Sequence, residues 1–441
     1  MQTINLDNPA FGTWGGGVTG DDDALAAAIA YAGTTPSIIH MPRPIYLFAA
    51  QPVIPATSKL HLVGKGSYKQ ARTVLQRAFD GNFIVLNDQE PLRMTSIELY
   101  GNKAEFTTGN GIDAFSTPIF LTNSSVRDFN GKGIRLQDGW YSQLQDVNCS
   151  ANTLDGLHVD GRGNAVGIIG GQYSSNGRHG LNFDGANGGC YGFSVLGATT
   201  AELNGNTGLN INGGSAFDVS GFYSEANVIA LSVSGVIGTG KISGSYLQGT
   251  SPNQIVYLSQ TGIVTIEGSH IYSTAVAPTA YGIRTLAPTA KVISRGNVFT
   301  NVTYEVGDTG GGELSVGNKM SLGFYRDNVA ANLVADPIAR GSGAVNDYAM
   351  VFAGVVRGVA IRASAAANLG TLTVAVYKNG VAIGVSPVFT SAHGTYRTYQ
   401  VPHSAVTFVA GDRISVAIST TADWDVTTMD IAVDVVVETN I

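Results

Sequence analysis

Two glutamates, Glu202 and Glu225, stand where turn chemistry does not ask for them, in Ala201-Glu202-Leu203 and Ser224-Glu225-Ala226. Asp and Asn favour turns because their short side chains bond the local backbone, and Glu does not. Each glutamate lies five or six residues before a recurring Gly or Ala mark, so the two should project from one side, one repeat apart. Two carboxyl groups at short range are what hydrolysis of a glycosidic bond requires. Arg178 and His179, in Asn176-Gly177-Arg178-His179-Gly180, fall on a turn one repeat before Glu202. Tyr173, Tyr223 and Tyr246 each follow a glycine by two residues and suit either sugar-ring platforms or an inward aromatic stack.

Asp160 and Asp184 share an offset in successive repeats, so their Cα atoms should lie about 4.8 Å apart. Two such carboxylates resist joint ionisation, which would split them into acid and base. Asp160-Gly161 and Asp184-Gly185 are equally the ordinary way to end a strand. The catalytic candidates are Glu202, Glu225, Asp184 and His179. The substrate-binding candidates are Arg178, His158, Asp160, Tyr173 and Tyr223. Surface ion pairing is the plain alternative for the charged members. A hydrolase would use the paired carboxyls; a lyase acting on uronic acids would need a base and a cation to neutralise the sugar carboxylate.

What must hold these residues is a repeat. The marks are Gly111-Ile112, Gly133-Ile134, Gly156-Leu157, Gly180-Leu181, Gly208-Leu209 and Ala230-Leu231, spaced 22, 23, 24, 28 and 22 residues apart. After each comes an alternating strand closed by a turn, as in Leu181-Asn182-Phe183-Asp184-Gly185. A period in the low twenties without an intervening amphipathic helix predicts a parallel β-helix, in which equal offsets stack into columns. The second position after the mark gives Asp113, Arg135, His158, Asn182, Asn210 and Ser232, an outward column by alternation. A second series, Ile169…Gly171, Val195…Gly197, Val219…Gly221, Ile242…Gly244 and Ile266…Gly268, predicts another strand per coil.

The fold class is therefore all-β: a single-stranded parallel β-helix with a C-terminal β-sandwich of jelly-roll type. Residues 1–80 read as an N-terminal cap and first coils. A short helix starts at Asp21-Asp22-Asp23 and ends at Gly33, with Leu25, Ile29 and Ala32 on one face as a lid. Residues 81–318 are the solenoid, 319–347 a linker, and 348–441 the sandwich, signalled by long alternating strands and the Asn379-Gly380 hairpin turn. In the sandwich, Trp424 and Tyr396 are possible sugar platforms.

The chain has 441 residues, 57 of them Gly, with 13% charged residues and a net charge of −7. That balance offers no electrostatic basis for binding nucleic acid. Cys149 and Cys190 fall on different coils, so no disulfide is expected. No metal site is expected, since the seven histidines are scattered and neither cysteine has a partner at ligand spacing. No cofactor is implied. No long apolar run predicts membrane insertion, no basic and then apolar leader opens the chain, and no virion-attachment segment is expected ahead of the solenoid.

Phe11-Gly12 through Gly17-Val18-Thr19-Gly20-Asp21-Asp22, the Ala-rich helix, and a strand ending at Pro42 before Tyr46 together resemble the opening of the pectate-lyase-like superfamily, as found in bacteriophage tailspikes and capsule depolymerases. The resemblance covers roughly residues 5–65. It implies a right-handed parallel β-helix, a homotrimer, other phage tail proteins as partners, a place in the virion, and a bacterial surface polysaccharide (capsule or O-antigen) as ligand. On that basis the expected function is depolymerisation by glycoside hydrolysis; a non-catalytic receptor-binding fibre and a polysaccharide lyase are the alternatives. Asn152-Thr153-Leu154-Asp155-Gly156 is also similar to the polygalacturonase Asn-Thr-Asp-Gly motif, with Leu154 interrupting it. That family's later paired-Asp and Gly-His-Gly motifs are missing.

Overall fold

The structure is a computed structural model describing residues 1–11, 21–66, 72–185, 189–286, 290–308, 313–316, 319–340, 346–351, 353–401, 406–424 and 429–439. Residues 12–20 of the glycine-rich opening, Gly341-Ser342-Gly343 of the expected linker and Asn318 lie outside them. Contacts divide the chain into two compact units, Met1–Val302 with Asp308–Ser315, and Thr303–Gly307 with Val316–Ile441.

The first unit is a parallel β-solenoid of about 11 turns. Most coils give two strand segments to a 20-stranded sheet and one to an 11-stranded sheet. One coil runs Leu157–Asp160, Gly167–Ile169 and Gln172–Ser174 before a turn leads to Leu181–Asp184. In Thr207–Ser220, Ile229–Ser243 and Gln254–Glu267 the first two segments merge into single long strands, and they separate again as Thr279–Thr285 and Ala290–Arg295. Alternation places one apolar column inside: Ile112, Ile134, Leu157, Leu181, Leu209 and Leu231 are stacked in register and fully buried.

The glycine marks have a steric cause. At Gly156 a Cβ would lie 2.7 Å from the Gly180 carbonyl oxygen and 2.8 Å from the Asn176 amide nitrogen. That amide belongs to a buried asparagine ladder, Asn152, Asn176, Asn204 and Asn227 on four successive coils. Each Nδ2 donates to the next Oδ1 at 3.0 Å from Asn152, Asn176 and Asn204, and each Oδ1 also accepts a backbone N–H from the preceding coil. The ladder satisfies backbone groups that the turn would otherwise bury unpaired.

The helix Asp22–Ala32 buries Leu25, Ile29 and Ala32 and closes on Gly33, whose N–H bonds the Ile29 carbonyl at 3.0 Å. Asp21 does not cap it by a side-chain bond; its Oδ2 accepts the Leu47 N–H at 2.8 Å instead, tying the helix to a strand. Both cysteines are free and buried.

The second unit packs two antiparallel six-stranded sheets over an apolar core that includes Phe324, Leu372, Phe389, Ile418 and Val433. Its first strand corrects the expected linker. Lys319–Arg326 pairs along its whole length with Ile431–Thr439, and Leu322 and Phe324 point into the core. The alternation was present, but the partner strand lies at the far end of the chain, so no adjacent hairpin turn announced it. Trp424 is also corrected: it is 3% exposed, with Nε1 donating to the Val329 carbonyl at 3.2 Å, and cannot serve as a platform. Tyr396 is exposed. Among the described residues no helix is long and apolar enough to cross a membrane, and no three His, Cys, Asp or Glu side chains gather as a metal site.

Candidate functional site

The sequence candidates divide into two clusters of the solenoid. The first surrounds Asp155, at the turn that leads into Leu157–Asp160. Asp155 is 0% exposed and accepts from donors on four residues. His158 Nδ1 lies 2.6 Å from Oδ2, Arg178 Nε 2.7 Å from Oδ1, the His179 N–H 3.2 Å from Oδ1, and Asn182 Nδ2 3.1 Å from Oδ2. Arg178 Nη2 closes a bidentate pair on Oδ2. Such a fork fixes geometry as well as charge. Burial alone would raise the Asp155 carboxyl, but hydrogen bonds from Arg178, His158 and Asn182 and the Arg178 charge overcome it and hold the group well below the usual carboxylate range.

A 2.6 Å approach to a carboxylate places the proton on His158 Nδ1 and leaves Nε2 3.5 Å from Asp160 Oδ2. Burial lowers the imidazole pKa, yet bonds to Asp155 and Asp160 outweigh it and raise the pKa above the ordinary value. Asp160 also takes Arg135 Nη2 at 3.0 Å, and Arg135 reaches Asp113 at 3.6 Å. Charges therefore alternate along Asp113, Arg135, Asp160, His158, Asp155 and Arg178. Asp160 and Asp184 are register partners on adjacent coils, and Asp184 accepts from Asn212 at 3.0 Å.

The predicted column Asp113, Arg135, His158, Asn182, Asn210, Ser232 is observed in that order. It is less open than alternation implied, however. His158 is 5% exposed and Asn182 is buried, because both turn onto Asp155 instead of solvent. His179 is also nearly buried, and among the described residues its Nδ1 has no hydrogen-bond partner. Burial, only partly offset by Asp155, lowers its pKa to about 4. A neutral folded histidine and a free unfolded one, of ordinary pKa near 6.5, bind different numbers of protons between those values. Its contribution is complete above pH 6.5 and is lost as pH falls toward 4, by up to about 3 kcal/mol. His158 acts in the opposite sense: its raised pKa adds stability below pH 6.5 that fades as pH climbs through the folded value. His179→Asn should therefore flatten the loss of stability between pH 6.5 and 4 in urea titrations. An unchanged acid limb would show that His179 does not set it.

The second cluster lies on the 11-stranded sheet. Glu202 and Glu225 are register partners on adjacent coils, and both are partly exposed. Gln172 Nε2 donates to Glu202 Oε2 at 3.3 Å, and the Tyr223 hydroxyl donates to Glu225 Oε2 at 2.7 Å. That bond raises the phenol pKa to about 12. The Tyr223 ring stacks on Tyr246 at 4.9 Å and 13°, and Tyr246 meets His270 edge-on at 5.3 Å. Beside them Glu202, Gln172, Thr200 and Asp146 line an open depression of about 670 Å³.

Two corrections follow. The Arg178 guanidinium and the His179 backbone N–H both bond Asp155, so these hydrogen bonds do not join them to Glu202 as the sequence suggested. Tyr173 is fully buried, paired in register with Ala201, while the residue matching Tyr223 is Gln172 through Thr200. The cause is the double glycine. Ile169 pairs with Leu196, and Leu196 with Ser220, so Gly170 and not Gly171 corresponds to Gly197 and Gly221. Anchoring on the wrong glycine shifts the strand by one residue and turns every side chain to the other face. Two features escaped the sequence reading. One is the central place of Asp155, which Asn152-Thr153-Leu154-Asp155 hinted at; the other is the ladder, whose first three members each stand four residues before a glycine mark.

No family model matches the chain, and no curated protein sequence is similar to it. Solved structures are. Tailspike protein 2 of bacteriophage CBA120 (enzymatically active domain) aligns at TM-score 0.48 and 10% identity over 98% of this chain and 79% of that one. The catalytic unit of a GH87 α-1,3-glucanase from Streptomyces thermodiastaticus aligns at TM-score 0.48 and 13% identity, covering 71% and 67%. The A-module of the Azotobacter vinelandii mannuronan C-5 epimerase AlgE6 aligns at TM-score 0.46 and 16% identity, covering 71% and 97%. The similarity is one of fold: the parallel β-helix implied by residues 5–65 is the architecture observed.

Proposed function

We propose that the chain binds a bacterial surface polysaccharide along the outer face of the 11-stranded sheet and hydrolyses it there. The observation that carries this reading is the adjacent-coil pair Glu202 and Glu225 beside the stacked rings of Tyr223 and Tyr246. Aromatic faces and carboxylates repeating along one axis form a track for a polymer, since successive coils advance by about 4.8 Å. A retaining mechanism needs its two carboxyls about 5–5.5 Å apart, a separation that glutamate side chains rising from strands about 4.8 Å apart can adopt. In this reading Glu202 protonates the leaving glycosidic oxygen while Glu225, oriented by Tyr223, attacks the anomeric carbon; water then releases the glycosyl group with retained configuration.

A second reading is elimination on a uronic acid, favoured by the Asp155–His158–Arg178 assembly. There a carboxylate-held imidazole would act on the proton and guanidinium groups would neutralise the sugar carboxylate. The resemblance of residues 5–65 supports a phage tail location and a homotrimer.

Incubation with purified capsule and O-antigen, followed by mass spectrometry, tests the chemistry. Hydrolysis adds one water per cut; elimination leaves an unsaturated, ultraviolet-absorbing end. Bound but uncut polymer would leave a receptor-binding role in place of catalysis.

A further inference from the structure

A corner of the solenoid remote in sequence from Glu202 carries a feature that neither catalytic reading uses. Trp140 is 47% exposed and Tyr141 64%, their ring centroids 6.5 Å apart and inclined at 70°. With Ser116, Pro118, Asp138 and Arg162 they line a depression of about 410 Å³. Tyr141 holds φ at 55°, a left-handed conformation that a bulky residue seldom adopts. The N–H bonds from Tyr141 to the Asn164 carbonyl and from Ala165 to the Tyr191 carbonyl place Ala165 and Gly192 at the same turn position on the next two coils, at φ 54° and 64°. The turn therefore works with small residues, and folding does not ask for a ring there. The ring faces solvent and packs into no core.

The polar side of the depression is fixed. Asp138 Oδ1 accepts the Arg162 backbone N–H at 2.6 Å, and a Cβ on Gly161 would come within 2.4 Å of that same oxygen. The Arg162 side chain is exposed and makes no ion pair or hydrogen bond among the described residues. On a chain of net charge −7, an unneutralised guanidinium beside two exposed rings calls for an anionic, flat-faced ligand.

We propose that this depression binds one carboxylate-bearing pyranose of a polysaccharide. The ring's C–H face stacks on Trp140 or Tyr141, the carboxylate pairs with Arg162, and a hydroxyl donates to Asp138. The inference rests on the polysaccharide reading for its ligand class but not on Glu202, Glu225 or any cleavage step.

The test uses the full chain on a printed array of uronic-acid oligosaccharides beside their carboxyl-reduced, neutral counterparts. Wild type should retain acidic over reduced forms. Trp140→Ala and Tyr141→Ala should each weaken retention at least about tenfold, and Arg162→Gln should erase the acidic preference while sparing binding of reduced forms. Light scattering should show an unchanged oligomeric state. The proposal is overturned by an array on which wild type retains nothing, by equal retention in the variants, or by a variant that alters oligomeric state with retention intact, which would mark a contact between copies. Loss of array binding in Trp140→Ala together with full cleavage by Glu202→Gln would remove the catalytic reading and leave this one. Unchanged retention in Trp140→Ala with cleavage abolished in Glu202→Gln would do the reverse.

Discussion

Glu202→Gln and Glu225→Gln are each expected to lower polymer cleavage by roughly a thousandfold or more while the protein stays folded. A general acid such as Glu202 contributes on that scale, the Glu225 nucleophile opens the covalent route that the reaction depends on, and each substitution keeps shape while removing the proton or the charge. Both side chains are partly exposed on the sheet and hold one neighbour each, Gln172 and Tyr223, so the solenoid does not depend on them. Release of reducing ends measures the rate, and circular dichroism and melting should match wild type. Asp155→Asn separates the two clusters. If elimination is the chemistry, it is the Asp155 variant that loses cleavage and the glutamate variants that keep it. Full activity in both glutamate variants removes them from the site.

Asn176→Ala should be among the most destabilising single substitutions in the solenoid. Its Oδ1 accepts the Asn152 backbone N–H at 3.2 Å and the Asn152 amide at 3.0 Å. Its Nδ2 donates to the Cys149 carbonyl at 3.1 Å and to Asn204 Oδ1 at 3.0 Å. Alanine removes the acceptor of the Asn152 backbone N–H and strips one bond each from the Asn152 amide, the Cys149 carbonyl and Asn204 Oδ1, all around a residue only 1% exposed. With each orphaned group costing about 1–3 kcal/mol, a loss of about 4 kcal/mol is expected, a large part of a typical stability of about 5–15 kcal/mol. Asn206→Ala, an exposed asparagine two residues after Asn204, serves as the control and should shift the urea midpoint little. Equal midpoints for the two variants would show that the ladder is ornamental.

The sequence carried the architecture because a solenoid writes its geometry locally. The Gly-Leu marks follow from a backbone approach that excludes Cβ, and the alternation after each mark follows from a strand with one buried face. Columns such as Arg135–His158–Asn182 were therefore readable before any coordinates. What failed was whatever depended on counting across an irregular turn or on a distant partner. Gly170-Gly171 offered two anchors, and the wrong one put Tyr173 in the column of Tyr223 and Tyr246, a column that Gln172 occupies while Tyr173 is buried. Lys319–Arg326 looked like a linker because its partner strand closes the chain. Arg178 was assigned to Glu202 by proximity in the repeat, whereas charge and burial direct it to Asp155, which shares its corner one coil away.

The two clusters also differ in what holds them. Around Asp155 nearly every polar atom is satisfied within the protein, an arrangement that fixes a turn as readily as it could serve chemistry. The Glu202–Glu225 strip leaves carboxylates and rings on an open sheet face, next to a depression large enough for a sugar. Access, more than charge, is why hydrolysis there is preferred.

A crystal structure of the Glu202→Gln variant soaked with an oligosaccharide released by the wild-type protein tests that preference most directly. The expected result is a glycan lying across Tyr223 and Tyr246, with an anomeric carbon facing the Glu225 carboxylate and a glycosidic oxygen within reach of residue 202. A glycan seated instead over Asp155, His158 and Arg178, with the strip empty, would contradict it.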